Sequence, residues 1–175
     1  ELGADSHRLI YEETDETFSV YAYKSLSDRF IYMHSDSTLA TEVRYLPADA
    51  PDSEPRLFLA RESEHEYSDT DGGDRFYILS NDSARNFRLL EAPLDNTAKS
   101  AWRVVVGHRD DVLLEGMDVF SGHLVLGGKK QGIDFTEVVD RATSAVHAIE
   151  FDESTYVLWS GDNYEYETTV FRYGY

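Results

Sequence analysis

A repeat constrains this chain more than any other feature. Asp28-Arg29-Phe30 returns as Asp74-Arg75-Phe76, an offset of 46 residues from Phe30 to Phe76. Each triplet opens an alternating stretch, Ile31-Tyr32-Met33-His34 and then Tyr77-Ile78-Leu79-Ser80. Polar turns follow at the same offset, Ser35-Asp36-Ser37 and Asn81-Asp82-Ser83. Another strand-like run comes next, Glu42-Val43-Arg44-Tyr45-Leu46 and Asn86-Phe87-Arg88-Leu89-Leu90. A third copy is fainter: Gly122-His123-Leu124-Val125-Leu126, a turn at Lys129-Lys130-Gln131-Gly132, then Phe135-Thr136-Glu137-Val138-Val139.

Copies of ~40–50 residues built from several short strands are the mark of propeller blades. Helical repeats of that length would place apolar residues at i, i+3, i+4 and i+7. Here the period is two, with Phe18 and Val20 alternating with Ser19 and Tyr21. Twelve Tyr and nine Phe suit pleated, half-buried strand surfaces. The expected fold is all-β: consecutive four-stranded antiparallel blades of a β-propeller, forming an incomplete arc. Residues 1–175 read as part of one propeller domain, with blades at about 17–60, 65–106 and 112–151. A strand at 8–12 would close a preceding blade, and strands at 155–160 and 167–173 would open a following one. Asp71-Gly72-Gly73 marks a tight turn, because Gly supplies positive φ at no steric cost. Pro47, Pro51 and Pro55 make 48–55 a loop, and 92–101 reads as another. A short helix at Thr143–His147 is the one exception expected. An arc leaves two blade faces uncovered, so the segment is expected to stay open or to associate with a second copy. A start at Glu1 and a stop at Tyr175 read as cuts from a longer polypeptide.

Charge narrows the partners. The chain has 34 acidic and 16 basic residues, a net charge of −18. Nucleic-acid binding needs the opposite sign, and an anionic membrane surface would repel the chain. The runs Val104-Val105-Val106 and Leu124-Val125-Leu126 fall far short of the ~20 apolar residues a spanning helix needs. Cationic ligands are the partners such a field attracts. With no cysteine there is no thiolate metal site. That fits a reducing compartment, and a cytoplasmic location is expected.

No pattern points to catalysis, a cofactor or a metal, so no catalytic, cofactor-binding or metal-ligating residue is assigned. A Gly-x-Ser-x-Gly elbow, which exposes a strained nucleophile at a strand-to-helix turn, does not occur. His65-Glu66 is an isolated pair, without the second His of a zinc motif. Asp69-Thr70-Asp71-Gly72 starts like a calcium loop, but Ser80 stands where the twelfth-position Glu is needed. Glu12-Glu13 and Glu165 with Glu167 are paired carboxylates of the kind glycosidases use, yet an acidic chain produces such pairs by chance. Gly127-Gly128-Lys129-Lys130 lacks P-loop spacing, and Asn81-Asp82-Ser83 is a formal glycosylation sequon that also reads as a blade turn.

A string of motifs resembles one family. Leu9-Ile10-Tyr11-Glu12-Glu13 with Asp15-Glu16-Thr17-Phe18, and Thr41-Glu42-Val43-Arg44-Tyr45-Leu46, are similar to propeller segments of the oligopeptidase B group of the prolyl oligopeptidase family. So are His65-Glu66-Tyr67-Ser68, Arg75-Phe76-Tyr77, Ser80-Asn81, Asn86-Phe87 and Leu114-Glu115-Gly116. Phe151-Asp152, Tyr156-Val157, Glu165, Glu167-Thr168 and Arg172-Tyr173-Gly174-Tyr175 complete the series. The resemblance implies a seven-bladed propeller that caps an α/β-hydrolase domain of the same parent chain and admits only short peptides. It implies cleavage after Arg or Lys, hence short basic peptides as substrates. The nucleophile, its Asp and its His belong to the hydrolase domain, which this chain lacks, so no catalytic residue carries over and the segment alone is expected to be inactive. The match is loosest from Lys129 to Ala148, where the strand register is open. Two other functions fit the residues: a stand-alone propeller scaffold for a protein partner, and a propeller glycosidase.

Overall fold

A computed structural model describes residues 8–175. Twelve of its strands form three antiparallel sheets, each in simple up-and-down order. The first holds β1 (Ser19–Lys24), β2 (Phe30–Asp36), β3 (Thr41–Pro47) and β4 (Arg56–Leu59). In the second, β5 (Tyr67–Asp71), β6 (Arg75–Ser80), β7 (Arg88–Pro93) and β8 (Arg103–Val106) follow, with one 3-10 turn at Lys99–Ala101. The third contains β9 (Val112–Val119), β10 (His123–Lys130), β11 (Ile133–Asp140) and β12 (Val146–Ala148). Last, the two-residue strands β13 (Trp159–Ser160) and β14 (Tyr173–Gly174) pair with each other. The architecture is all-β, of consecutive four-stranded sheets, with no closed sheet among the described residues.

The sheets stack in succession, and β6 shows why. Phe76 and Ile78 face the first sheet, packing with Phe30, Tyr32, Val43, Tyr45 and Phe58. Tyr77 and Leu79 face the third, packing with Val112, Leu114, Leu124 and Leu126. Since alternate side chains leave opposite faces of a strand, a sheet covered on both faces needs apolar residues at every position. That is the Phe76-Tyr77-Ile78-Leu79 run, buried throughout.

The repeat is also visible in the irregularities. The ladder between third and fourth strands slips at Val43/Arg44 in the first sheet and at Leu89/Leu90 in the second, again 46 residues on. At the first slip, the Tyr67 hydroxyl of the second sheet accepts from Val43 N at 3.0 Å and donates to the Leu59 carbonyl at 2.9 Å. It satisfies backbone groups that the bulge frees. Polar ties also clamp the Asp71–Asp74 turn from both sides. Ser27 and Arg29 of the first sheet reach Asp71, and Arg29 also reaches the Gly73 carbonyl. Arg141, after β11, donates to the Gly72 carbonyl at 2.7 Å and to Asp74 at 2.6 Å.

Several local expectations are corrected. Residues 8–12 join no strand ladder; instead Glu13 anchors the segment by accepting from Arg61 at 2.5 Å and from Ser35. The expected strands at 155–160 and 167–173 shrink to the β13–β14 pair. Thr143–His147 is not helical. Asp140 Oδ1 accepts from the Ala142 and Thr143 amides at 3.0 and 2.7 Å, an Asx turn that competes with helix, and Ser144 has φ 58°. The turn placed at Lys129–Gly132 is only two residues long. Gln131 and Gly132 have φ 52° and 83°, a primed turn, and β10 runs on through Lys130.

Candidate functional site along the first strands

Each sheet presents its first strand at one edge, and β1, β5 and β9 come together around two cavities. Toward their N-terminal ends lies a cavity of about 380 Å³, lined by Tyr21, His34, Asp36 and Thr41 of the first sheet, Glu66, Tyr67, Ser68, Leu79 and Phe87 of the second, and Leu113, Leu114 and Glu115 of the third. Toward their C-terminal ends lies another of about 300 Å³, lined by Tyr23, Lys24, Asp69, Thr70, Met117, Asp118 and Asn163, among others. Ser68 borders both. Five carboxyl-bearing residues thus line this edge: Asp36, Glu66, Asp69, Glu115 and Asp118. None of the five makes an ion pair with Lys or Arg among the described residues.

Behind the wall lies a buried polar cluster. His34 is 3% exposed, and its Nε2 is 2.9 Å from the Tyr23 hydroxyl. Its ring lies 5.3 Å from Tyr21 and 5.2 Å from Tyr23, centre to centre. Asp69 Oδ1 lies 3.8 Å from the same Nε2, and neither carboxylate oxygen accepts a hydrogen bond. Burial pushes the Asp69 carboxyl well above the usual range, and the nearby Asp36 adds to this. Burial pushes the His34 imidazole down, against the opposing pull of Asp36. Both shifts favour neutral forms, because an uncompensated charge is costly inside a seam between sheets. Burial likewise raises Asp118, which accepts from Ser160 at 2.9 Å.

The residues weighed individually in the sequence go elsewhere. His65 Nε2 sits 2.9 Å from Ser80 Oγ. That contact is no catalytic dyad: Ser80 is fully buried, and His65 Nδ1 has no partner to orient the ring. Glu66 turns to the cavity and to Asn81, whose side-chain oxygen accepts from the Glu66 amide at 2.9 Å. Asn81 therefore does turn work. Asp71 accepts from the Gly73 amide at 2.8 Å while Asp69 faces His34, so the two do not converge as a calcium loop requires. Among the described residues, no three His, Asp or Glu side chains are grouped to hold a metal ion. Glu12, Glu165 and Glu167 are exposed, and Glu13 is occupied by Arg61. These pairs therefore do not supply the two facing carboxyl groups that glycosidase chemistry needs.

Comparison with known proteins decides the family. The profile of the prolyl oligopeptidase N-terminal β-propeller domain matches residues 1–175. The chain belongs to this family.

Its relatives include a protein named dipeptidyl aminopeptidase BI of Pseudoxanthomonas mexicana, 35% identical over 173 residues, covering 98% of this chain and 24% of that protein. A second is protease 2 of Moraxella lacunata, 31% identical over 169 residues, covering 95% of this chain and 24% of the relative. The chain thus spans about a quarter of the length of these relatives. Among solved structures, oligopeptidase B from Leishmania major superposes with a TM-score of 0.86 at 25% identity, over 94% of this chain and 24% of that one. Oligopeptidase B from Trypanosoma brucei gives 0.88 at 19% identity, over 94% and 25%, a likeness of fold.

In the sequence, His34 and Asp36 belong to the repeat and Glu115 to the family-like motifs without a site role, Glu66 and Asp69 are weighed only as metal ligands, and Asp118 carries no signal of its own. One signal was available. The 46-residue offset makes Tyr21 equivalent to Tyr67 and Tyr23 equivalent to Asp69, so the repeat already aligned β1 with β5.

Proposed function

We propose that this chain is the non-catalytic propeller segment of a serine oligopeptidase that cleaves short peptides after Arg or Lys, with the first-strand edge facing the passage that substrates use. The observation that carries this reading is the set of carboxyl-bearing residues without Lys or Arg partners that the three sheets bring to one cavity: Asp36 at the end of β2, Glu66 just before β5 and Glu115 on β9. Such a wall concentrates cationic peptides near it and discriminates against acidic ones. Restricting entry to short peptides is the sterically simple role of a propeller set over a catalytic domain of the same chain. The relative named dipeptidyl aminopeptidase BI supports a second mode, release of N-terminal dipeptides, on the same scaffold.

The experiment compares the full natural chain with the 175-residue segment. Both are given an amino-blocked Arg reporter, the matching free-amine dipeptide reporter and the blocked Glu reporter. The full chain is expected to turn over the blocked Arg reporter, and the segment none of them. Turnover only of the free dipeptide favours the second mode. Turnover by the segment itself, or equal turnover of Arg and Glu reporters, contradicts the proposal.

A further inference from the structure

The outer face of the first sheet is closed differently from the two seams inside the arc. The first and second sheets meet through Phe30, Tyr32, Tyr45, Phe58 and Phe76, and the second and third through Tyr77, Leu79, Leu114 and Leu126. On the remaining face of the first sheet, Ser35 stands opposite Val20 and Glu42, and Met33 opposite Ala22 and Arg44. Directly opposed residues share a face, so this one mixes charge with a buried Met33. The segment 8–18 lies on it, and side chains hold it there. Glu13, with a side chain 9% exposed, accepts from Arg61 at 2.5 Å and from the Ser35 hydroxyl. Arg61 also lies 3.9 Å from the centre of the Phe18 ring and 3.9 Å from Asp15 Oδ2. Its Nε faces Glu42 of the sheet at 3.5 Å. Arg44 lies 4.9 Å from the centre of the Tyr11 ring. The exposed contact of Arg8 with Asp52 adds little. Among the described residues, no backbone–backbone hydrogen bond joins 8–18 to the sheet.

We infer that residues 8–18 form a releasable strap, pinned at Arg61, which lifts from the first sheet while the three sheets stay stacked. A strand ladder would spread the attachment over many backbone bonds. Here one guanidinium contacts three residues of the strap and ties them to Glu42, so losing its charge frees them together. Met33 lies between Ser35 and Arg44 on the covered face, and both of these touch the strap, so release uncovers Met33. Ionic strength is the natural trigger, because salt weakens charge pairs at a protein surface and does not weaken apolar burial. The strapped face therefore opens ahead of the two apolar seams. The inference does not depend on what the full chain cleaves.

The test measures thiol labelling in the full natural chain, in a background with no other reactive thiol. Met33→Cys reports on the face under the strap. Ile78→Cys, at a fully buried position of the seam between the first and second sheets, reports on stacking. Each is combined with Arg61→Gln and, separately, with Glu13→Gln, and each is labelled at low and high sodium chloride. We expect Arg61→Gln to speed labelling at position 33 by roughly tenfold, as loss of charge-assisted hydrogen bonds implies. Glu13→Gln and high salt should each speed it severalfold, and labelling at position 78 should keep its rate throughout. If Arg61→Gln fails to fold, Glu13→Gln and the salt comparison decide on their own. Equal acceleration at 33 and 78 would mean general loosening and would overturn the inference. So would a rate at 33 that neither substitution nor salt raises, the result expected if backbone pairing holds 8–18 in the full chain.

Discussion

Replacing Tyr67 with Phe removes one oxygen from the seam between the first two sheets, and its cost follows from the contacts. The hydroxyl makes two bonds to backbone, to Val43 N at 3.0 Å and to Leu59 O at 2.9 Å. Tyr67 is 4% exposed and Val43 is fully buried, so water cannot simply replace the donor. Leaving a buried backbone N–H unsatisfied costs about 1–3 kcal/mol. Loss of the carbonyl partner adds little, because a carbonyl tolerates under-satisfaction better. We therefore expect about 2 kcal/mol, or roughly 4–8 °C in Tm for a unit of this size. Tyr32→Phe is the matched control. Tyr32 is equally deep, but its hydroxyl has no hydrogen-bond partner, so its removal should be neutral or stabilising. Urea denaturation and thermal melts of both variants provide the measurement. Equal destabilisation by the two, or less than about 0.5 kcal/mol for Tyr67→Phe, would refute the bulge-capping argument.

Three further outcomes are expected. Gly128→Ala should destabilise by about 1–3 kcal/mol in the same melts, because a Cβ there would sit 2.0 Å from the Leu113 carbonyl oxygen at the β9–β10 bulge, where only backbone movement can relieve it. Arg141→Lys should cost about 2–3 kcal/mol despite keeping the charge, since one ammonium cannot reproduce the donors now reaching Gly72 O, Asp74, Tyr77 Oη, Phe120 O and Ser121 O; a full rescue by Lys in equilibrium unfolding would count against this. Stability should fall with acid below the ordinary imidazole value of 6.5. His34 has a lower folded than unfolded pKa, so the unfolded chain takes up the proton first; its contribution is intact above that value and lost as pH falls toward the folded one. His34→Gln should flatten that part of the stability–pH curve, and an unchanged slope would exclude His34 as the cause.

The sequence made two sheets legible because their repeats are in phase, down to the slips at Val43 and Leu89. The third was harder. Its bulge lies in the first pair of strands, at Gly127/Gly128, and not in the last, so comparing it with the other copies misplaced the turn at Lys129. At 8–12 the short apolar run Leu9-Ile10-Tyr11 reads as a strand, but the segment is held by Glu13 and Arg61 and not by a ladder. Thr143 also misled, because the Asx turn at Asp140 depends on a side-chain geometry that periodicity does not encode. Most of the site was illegible for a different reason. Asp36, Glu66 and Glu115 are distant in sequence within a chain of 34 acidic residues. Only the stacking of three sheets brings them to one cavity.

The central claim is that the first-strand edge lines the substrate passage. It is tested most directly at Ser68, the residue between the two cavities. The segment has no cysteine, so Ser68→Cys, in a full-length background with no other reactive thiol, can carry a bulky maleimide. Arg103→Cys on β8, at the far edge of the same sheet, carries the same label as the comparison. The account predicts that labelling at Ser68 slows hydrolysis of a short Arg peptide at least tenfold, and that labelling at Arg103 does not. Equal rates after labelling at the two positions would contradict it.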